Sequence, residues 1–148
     1  MSALHERWVV FVRVDDRTGA VSALADTFSS RGVSFESFNT LVVQDGEGVM
    51  AVVFDASERL ARVLVRTLGR LAAVRVATLV RADDEEVGAV AVLASGHERR
   101  VLTGSFAAVR TQVDEARGSG AALDALVVLP PQRPAGVEPG AFRFGDGR

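Results

Sequence analysis

The residues from Trp8 to Val14 read WVVFVRV, with Trp8, Val10, Val12 and Val14 on one parity and Val9 and Phe11 on the other. Alternate side chains of a strand point to opposite sides of its sheet, so apolar residues on both parities predict a strand buried on both faces. Such a strand belongs inside a sheet with cover on each side. The rest of the chain has to supply that cover.

Beyond Val14 the apolar period changes from strand to helix. After DDRTG, the residues Val21, Leu24, Ala25 and Phe28 recur at helical spacing with Ser22 and Asp26 on the other side, and RGV ends the run with a glycine suited to a helix C-terminus. VSFESFNTLVV then places Val33, Phe35, Leu41 and Val43 on one parity, and QDGEG precedes VMAVVFD. This predicts a hairpin of 33–43 with 49–55, joined by a turn of more than two residues whose type is open. Leu60, Val63, Leu64, Leu68 and Leu71 mark a second amphipathic helix with Ser57 as its N-cap and arginines 59, 62, 66 and 70 along a solvated side. A strand over 74–81 closes the series.

The order through residue 81 is therefore β-α-β-β-α-β, the ferredoxin-like or split βαβ arrangement of an α+β protein. Right-handed crossovers place both helices on one side of a four-stranded sheet. The opposite face, or an edge, is expected to stay apolar and open, and an exposed apolar patch of that kind predicts self-association into a homodimer or higher homo-oligomer.

ADDEE at 82–86 is an acidic break. Beyond it, VGAVAVLAS predicts a strand, GHERRVLTG a turn with a short strand, Phe106, Val109 and Val113 a helix stripe, and LDALVVL a last strand. The expected organisation is a first domain over 1–82, a smaller ββαβ-like unit over 87–129, and a flexible tail over 130–148, where all four prolines and four of the 14 glycines accumulate.

Composition narrows the chemistry. Cysteine is absent, which excludes disulfides, thiolate metal sites and cysteine nucleophiles, and every one of the 17 basic residues is arginine, which excludes Schiff-base and P-loop lysines. Tyrosine is absent too, and the two histidines are His5 and His97, so acid–base groups near neutrality are few. The net charge of −2, with basic residues scattered along the chain, predicts neither nucleic acid nor an anionic membrane as a partner. The N-terminal apolar stretch is too short and too charged for a signal or a membrane span, so a cytoplasmic location is expected, without cofactor or metal.

Residues 8–81 resemble an ACT domain, a ligand-sensing module of amino-acid metabolism. The resemblance rests on VDDRTGAV at the strand–turn entry, Phe28 and SSRG at the end of the first helix, FES opening the second strand, and VRVATLV at the close. Among ACT proteins the chain is most similar to the regulatory (small) subunits of acetolactate synthase, through the spacing of Phe28, Arg31, Gly32 and Glu36–Ser37. The resemblance implies a non-catalytic regulator that binds a small amino acid, branched-chain among the candidates, where two ACT domains meet, and that acts on a catalytic large subunit. Those subunits continue into a second domain about as large as the first, whereas residues 87–129 are fewer and show no clear match.

Helix starts leave backbone N–H groups unpaired and carry partial positive charge, and a glycine at the entry lets a carboxylate approach them. The candidate ligand-binding residues are Asp16, Arg17, Thr18, Gly19, Ala20 and, as an apolar wall, Val21. Asp16 stands where the resembled family carries asparagine. A carboxylate accepts hydrogen bonds but does not donate, so Asp16 suits an ammonium and repels a carboxylate, while Arg17 beside it suits an anion. Two alternatives stand beside this one. Thr18 or Asp16 simply caps the helix while Gly19 relieves the turn, or the chain is an assembly module that has lost its ligand, since GSFAAVRTQVDEA with LDALVVLPP is similar to the last helix and strand of bacterial microcompartment shell proteins.

Overall fold

The computed structural model describes residues 4–131, which fall into two compact units that divide between Arg81 and Ala82. Of the Pro/Gly-rich segment expected to be flexible, all but Pro130 and Pro131 lies outside the described residues.

The first unit runs β1 (Glu6–Asp15), α1 (Ala20–Ser30), β2 (Phe35–Gln44), β3 (Glu47–Ala56), α2 (Glu58–Gly69) and β4 (Val74–Arg81). Its strands pair in the order β2-β3-β1-β4, antiparallel throughout, which is the ferredoxin-like topology expected from the order of periods. β1 lies inside the sheet, as its two apolar parities require. Its even residues Trp8, Val10, Val12 and Val14 join Met50, Val52 and Phe54 of β3 against Leu24 and Phe28 of α1 and Ala61, Leu64 and Leu68 of α2. Phe28 meets Phe54 edge-on with ring centroids 5.2 Å apart.

The helices end as their sequences direct. Ser57 Oγ accepts from the Leu60 N–H at 3.2 Å and caps α2. At the end of α1, Gly32 takes a φ of 68°, its N–H donates to Ser29 O, and the Val33 N–H donates to Phe28 O, the paired bonds of a Schellman motif.

One expectation is corrected, and another, that the second face or an edge stays open, is narrowed to the edges. The β2–β3 connection is not a long turn. Gln44 pairs directly with Glu47, and Asp45 and Gly46, with φ of 53° and 76°, form a two-residue turn with both central residues left-handed. Asp-Gly is a favoured pair for that turn because its twist matches the flanking strands, so both strands run further than their apolar residues suggest. Nor is the second sheet face open at its centre. Val9 and Phe11 of β1 and Val49, Ala51 and Val53 of β3, the two inner strands, are buried. Apolar exposure follows the borders instead, with Phe35, Val42 and Val43 of β2 at 41%, 37% and 50% and Val76 of β4 exposed.

The second unit is β5 (Gly88–Ser95), β6 (Glu98–Ser105), α3 (Phe106–Gly118) and β7 (Ala122–Leu129), with strand order β6-β5-β7 and antiparallel pairing. Phe106, Val109 and Val113 of α3 are buried with Ala89, Ala91, Leu93, Leu102 and Val128. β6 is a full strand, its charged opening Glu98-Arg99-Arg100 pairing with Ser95, Ala94 and Leu93. His97 sits exposed in the turn before it. No helix among the described residues is long and apolar enough to cross a membrane.

Leu64 is fully buried between α2 and the sheet, so Leu64→Ala is expected to lower unfolding free energy by about 3 kcal/mol. Ser57→Ala removes only a cap and is expected to cost about 1 kcal/mol. Urea unfolding of both variants, read against the wild type, checks the ranking.

Candidate ligand-binding site at the start of the first helix

Three connections meet at one end of the first sheet. β1 ends at Asp15, the Asp45–Gly46 turn follows β2, and the segment between α2 and β4 returns beside them. Backbone bonds join the three: the Asp15 N–H donates to Ala73 O at 2.8 Å, and the Asp16 N–H donates to Gly46 O at 2.9 Å. The Ala20 N–H closes a turn onto Arg17 O at 3.2 Å, with Gly19 at φ 89° and ψ −8°. Those are the angles of the third residue of a type II turn, a left-handed position that glycine occupies without strain.

Gly19 is also the N-cap of α1, and its carbonyl accepts the first helical bond from the Ala23 N–H at 2.9 Å. No side-chain oxygen caps the helix. Capping by Thr18 or Asp16 is thereby corrected: the turn puts a residue without a side chain at the capping position, and Asp16 is held by its backbone to the β2–β3 turn. The helix start keeps donors unpaired by side chains.

Arg17, Thr18, Gly19, Ala20 and Ala23 line an open depression of about 340 Å³ opposite Leu71, Ala72, Ala73 and Val74 of the same chain. Four of the six sequence candidates are brought together there. Asp16 is exposed outside the lining, and Val21 is exposed on the first helical turn without lining it. The depression combines a helix start and a guanidinium on one side with alkyl groups on the other. Arg17 has no ion pair among the described residues. Such a surface is suited to a small carboxylate with a short apolar side chain.

Beneath this end lies a charge cluster. Arg75 Nε donates to Asp15 Oδ1 at 2.6 Å and its Nη1 donates to Glu47 Oε1, while Arg13 Nε donates to Glu47 Oε2 at 2.8 Å. Glu47 is 8% exposed and both its oxygens are used. The hydrogen bond to Asp15, with the charges of Glu47 and Asp15 adding to it, raises the pKa of Arg75 above its ordinary value against the opposing effect of desolvation, so the cation is secure.

Periodicity over residues 8–81 does not reveal the second wall or the cluster. Leu71 reads as part of the helix stripe, and Ala72 and Ala73 carry no chemical signal. The topology does contain one: in a β-α-β-β-α-β unit the first β–α connection and the last α–β connection emerge at the same end of the sheet. The second unit carries two larger open depressions, of about 740 and 560 Å³, beside the charged start of β6. Among the described residues there is no group of three or more His, Asp or Glu side chains placed to hold a metal ion. Asp15 is engaged by Arg75 rather than paired with Asp16, and arginines 59, 62, 66 and 70 are exposed along α2.

No protein-family model matches the chain, and no curated protein matches it. Among solved structures, the chain is similar to the acetolactate synthase small subunit from Thermotoga maritima, with a TM-score of 0.60 at 12% identity, covering 87% of this chain and 99% of that one. Coverage that high exceeds what the first unit alone supplies, so the likeness runs into the second unit, which the sequence did not visibly match. A homoserine dehydrogenase from Thiobacillus denitrificans aligns with 53% of this chain at 15% identity and a TM-score of 0.45, and the chain spans only 18% of that enzyme. The chain thus has the α+β fold of the acetolactate synthase small subunit, over nearly all of that subunit's length.

Proposed function

We propose that this protein is a non-catalytic regulator that binds a small aliphatic amino acid at the start of α1 and modulates a biosynthetic enzyme. The observation that carries the reading is the convergence of Arg17, Thr18, Gly19 and Ala20 with residues 71–74 around one depression, on a fold shared with a subunit of acetolactate synthase. The ligand's carboxylate lies at the helix start beside Arg17, where backbone donors and a guanidinium both favour an anion. Its side chain lies against Leu71, Ala72, Ala73 and Val74. An open depression of about 340 Å³ has room for a small amino acid.

The absence of thiols, lysines and phenols from the whole sequence supports regulation over turnover, because it removes cysteine and lysine nucleophiles and tyrosine acids. The β2 border, an edge of the four-stranded sheet with exposed Phe35, Val42 and Val43, supports pairing of two copies side by side. The catalytic partner is a large subunit that carries the chemistry this chain lacks.

Isothermal calorimetry with a panel of amino acids tests the sensing claim. A small aliphatic member is expected to release heat, and Arg17→Met is expected to weaken its binding by about tenfold or more, the worth of one charge-assisted contact. If no member of the panel gives heat, the protein is not a sensor of free amino acids. Gly19→Ala forces a side chain into a left-handed backbone and is expected to cost about 1–2 kcal/mol of stability as well as affinity, measured by thermal unfolding beside the titration.

A further inference from the structure

The charge cluster below the depression does more than pair charges on a strand. Its four members come from three segments: Arg13 and Asp15 from the end of β1, Glu47 from the first position of β3, and Arg75 from the second position of β4. Asp15 is followed directly by the turn that forms one wall, and Arg75 follows directly on Val74, the last residue of the other wall. Arg75 therefore holds Asp15 with one nitrogen and Glu47 with another, at the root of both walls. Glu47 is braced from its other oxygen by Arg13.

The burial is uneven in a way that fits this role. Glu47 is nearly covered, while Arg75 is about half exposed. A buried carboxylate without a cation partner is costly, so Glu47 needs both arginines. Exposed ion pairs such as Arg62 with Glu58 on α2 lack that requirement and contribute little. The backbone bond from the Asp15 N–H to Ala73 O crosses between the same two walls, close to both ion-pair anchors.

We infer that Arg75 and Glu47 are positioning residues that clamp the turn after β1 to the segment before β4 and so set the geometry of the ligand-binding depression. Neither lines the depression. The inference rests on the proposed function for what the depression holds, while the clamp itself is measured without any ligand.

The experiment follows hydrogen exchange of the full chain, wild type against Arg75→Met and Glu47→Gln, with an amino-acid titration on the same proteins. Arg99→Met, which removes an ion pair with Asp124 in the second unit, serves as the control. The amides of Asp15, Asp16 and Ala20 are expected to exchange about tenfold faster in both cluster variants and unchanged in the control, since local opening governs exchange. Arg75→Lys keeps a cation within reach and is expected to recover a part of that protection, which a loss of bulk packing would not restore. The titrated affinity is expected to fall by about tenfold in Arg75→Met with Arg17 intact.

Unchanged exchange at Asp15 and Asp16 in Arg75→Met overturns the clamp whatever the titration gives. Faster exchange with unaltered affinity leaves a brace and overturns its positioning role. A wild type that binds no member of the panel overturns the sensing function and the positioning of a ligand with it, and the exchange result still decides whether the cluster holds the two walls together. If Glu47→Gln fails to fold, the Arg75 variants alone decide each of these outcomes.

Discussion

The first unit depends on β1 having two partners and two faces. It pairs with β3 over its full length, from Glu6 opposite Ala56 to Asp15 opposite Glu47, and with β4 from Trp8 opposite Arg81 to Val14 opposite Val74. Its even face forms the core with both helices, and its odd face is buried as well. A strand in that position fixes the direction of every connection around it. The turn after Asp15, the β2–β3 turn and the return from α2 must all leave the sheet at one end, because β3 and β4, which the last two enter, run antiparallel beside β1. The candidate site exists there because the sheet gathers three chain segments at that end, and the charge cluster is the local price of bringing them so close.

Most of this was legible in the residues. WVVFVRV announces an inner strand, the 3.6-residue stripes of Leu24 with Phe28 and of Leu60, Leu64 and Leu68 announce helices covering one face, and the order of the segments admits few topologies. The boundaries were less legible for a physical reason. Glu47 and Gly48 look like turn residues by type, yet Glu47 is buried because Arg13 and Arg75 neutralise it. A charged residue inside a strand is invisible to periodicity until its partners are known. The same blindness hid the start of β6, where Glu98, Arg99 and Arg100 pair in register with β5 while remaining exposed.

The site was half legible. Gly19 stood out as a glycine between a strand end and an amphipathic run, and its φ of 89° is left-handed. Residues 71–74 did not stand out because alanines lining a depression act through their smallness and their placement, neither of which a sequence pattern measures. Arg75 was hidden more thoroughly. Its meaning lies in contacts 60 positions away with Asp15 and 28 away with Glu47, and only a strand register brings such residues together.

The placement of Asp16 removes the strongest electrostatic objection to a carboxylate ligand. A carboxylate in the lining would oppose an anion at the helix start, whereas Asp16 is tied through its N–H to Gly46 and stands outside the depression. Between solvent-exposed charges the energy is about 1 kcal/mol at 4 Å in water and falls with distance and salt, so a carboxylate outside the site is a weak opponent. Arg17, which does line the depression, is the nearer influence in space. An amide in place of Asp16 would add a donor to the β1–α1 turn but not to the depression, whose proposed preference for an anion rests on Arg17, the uncapped helix start and the inferred clamp that holds them opposite residues 71–74.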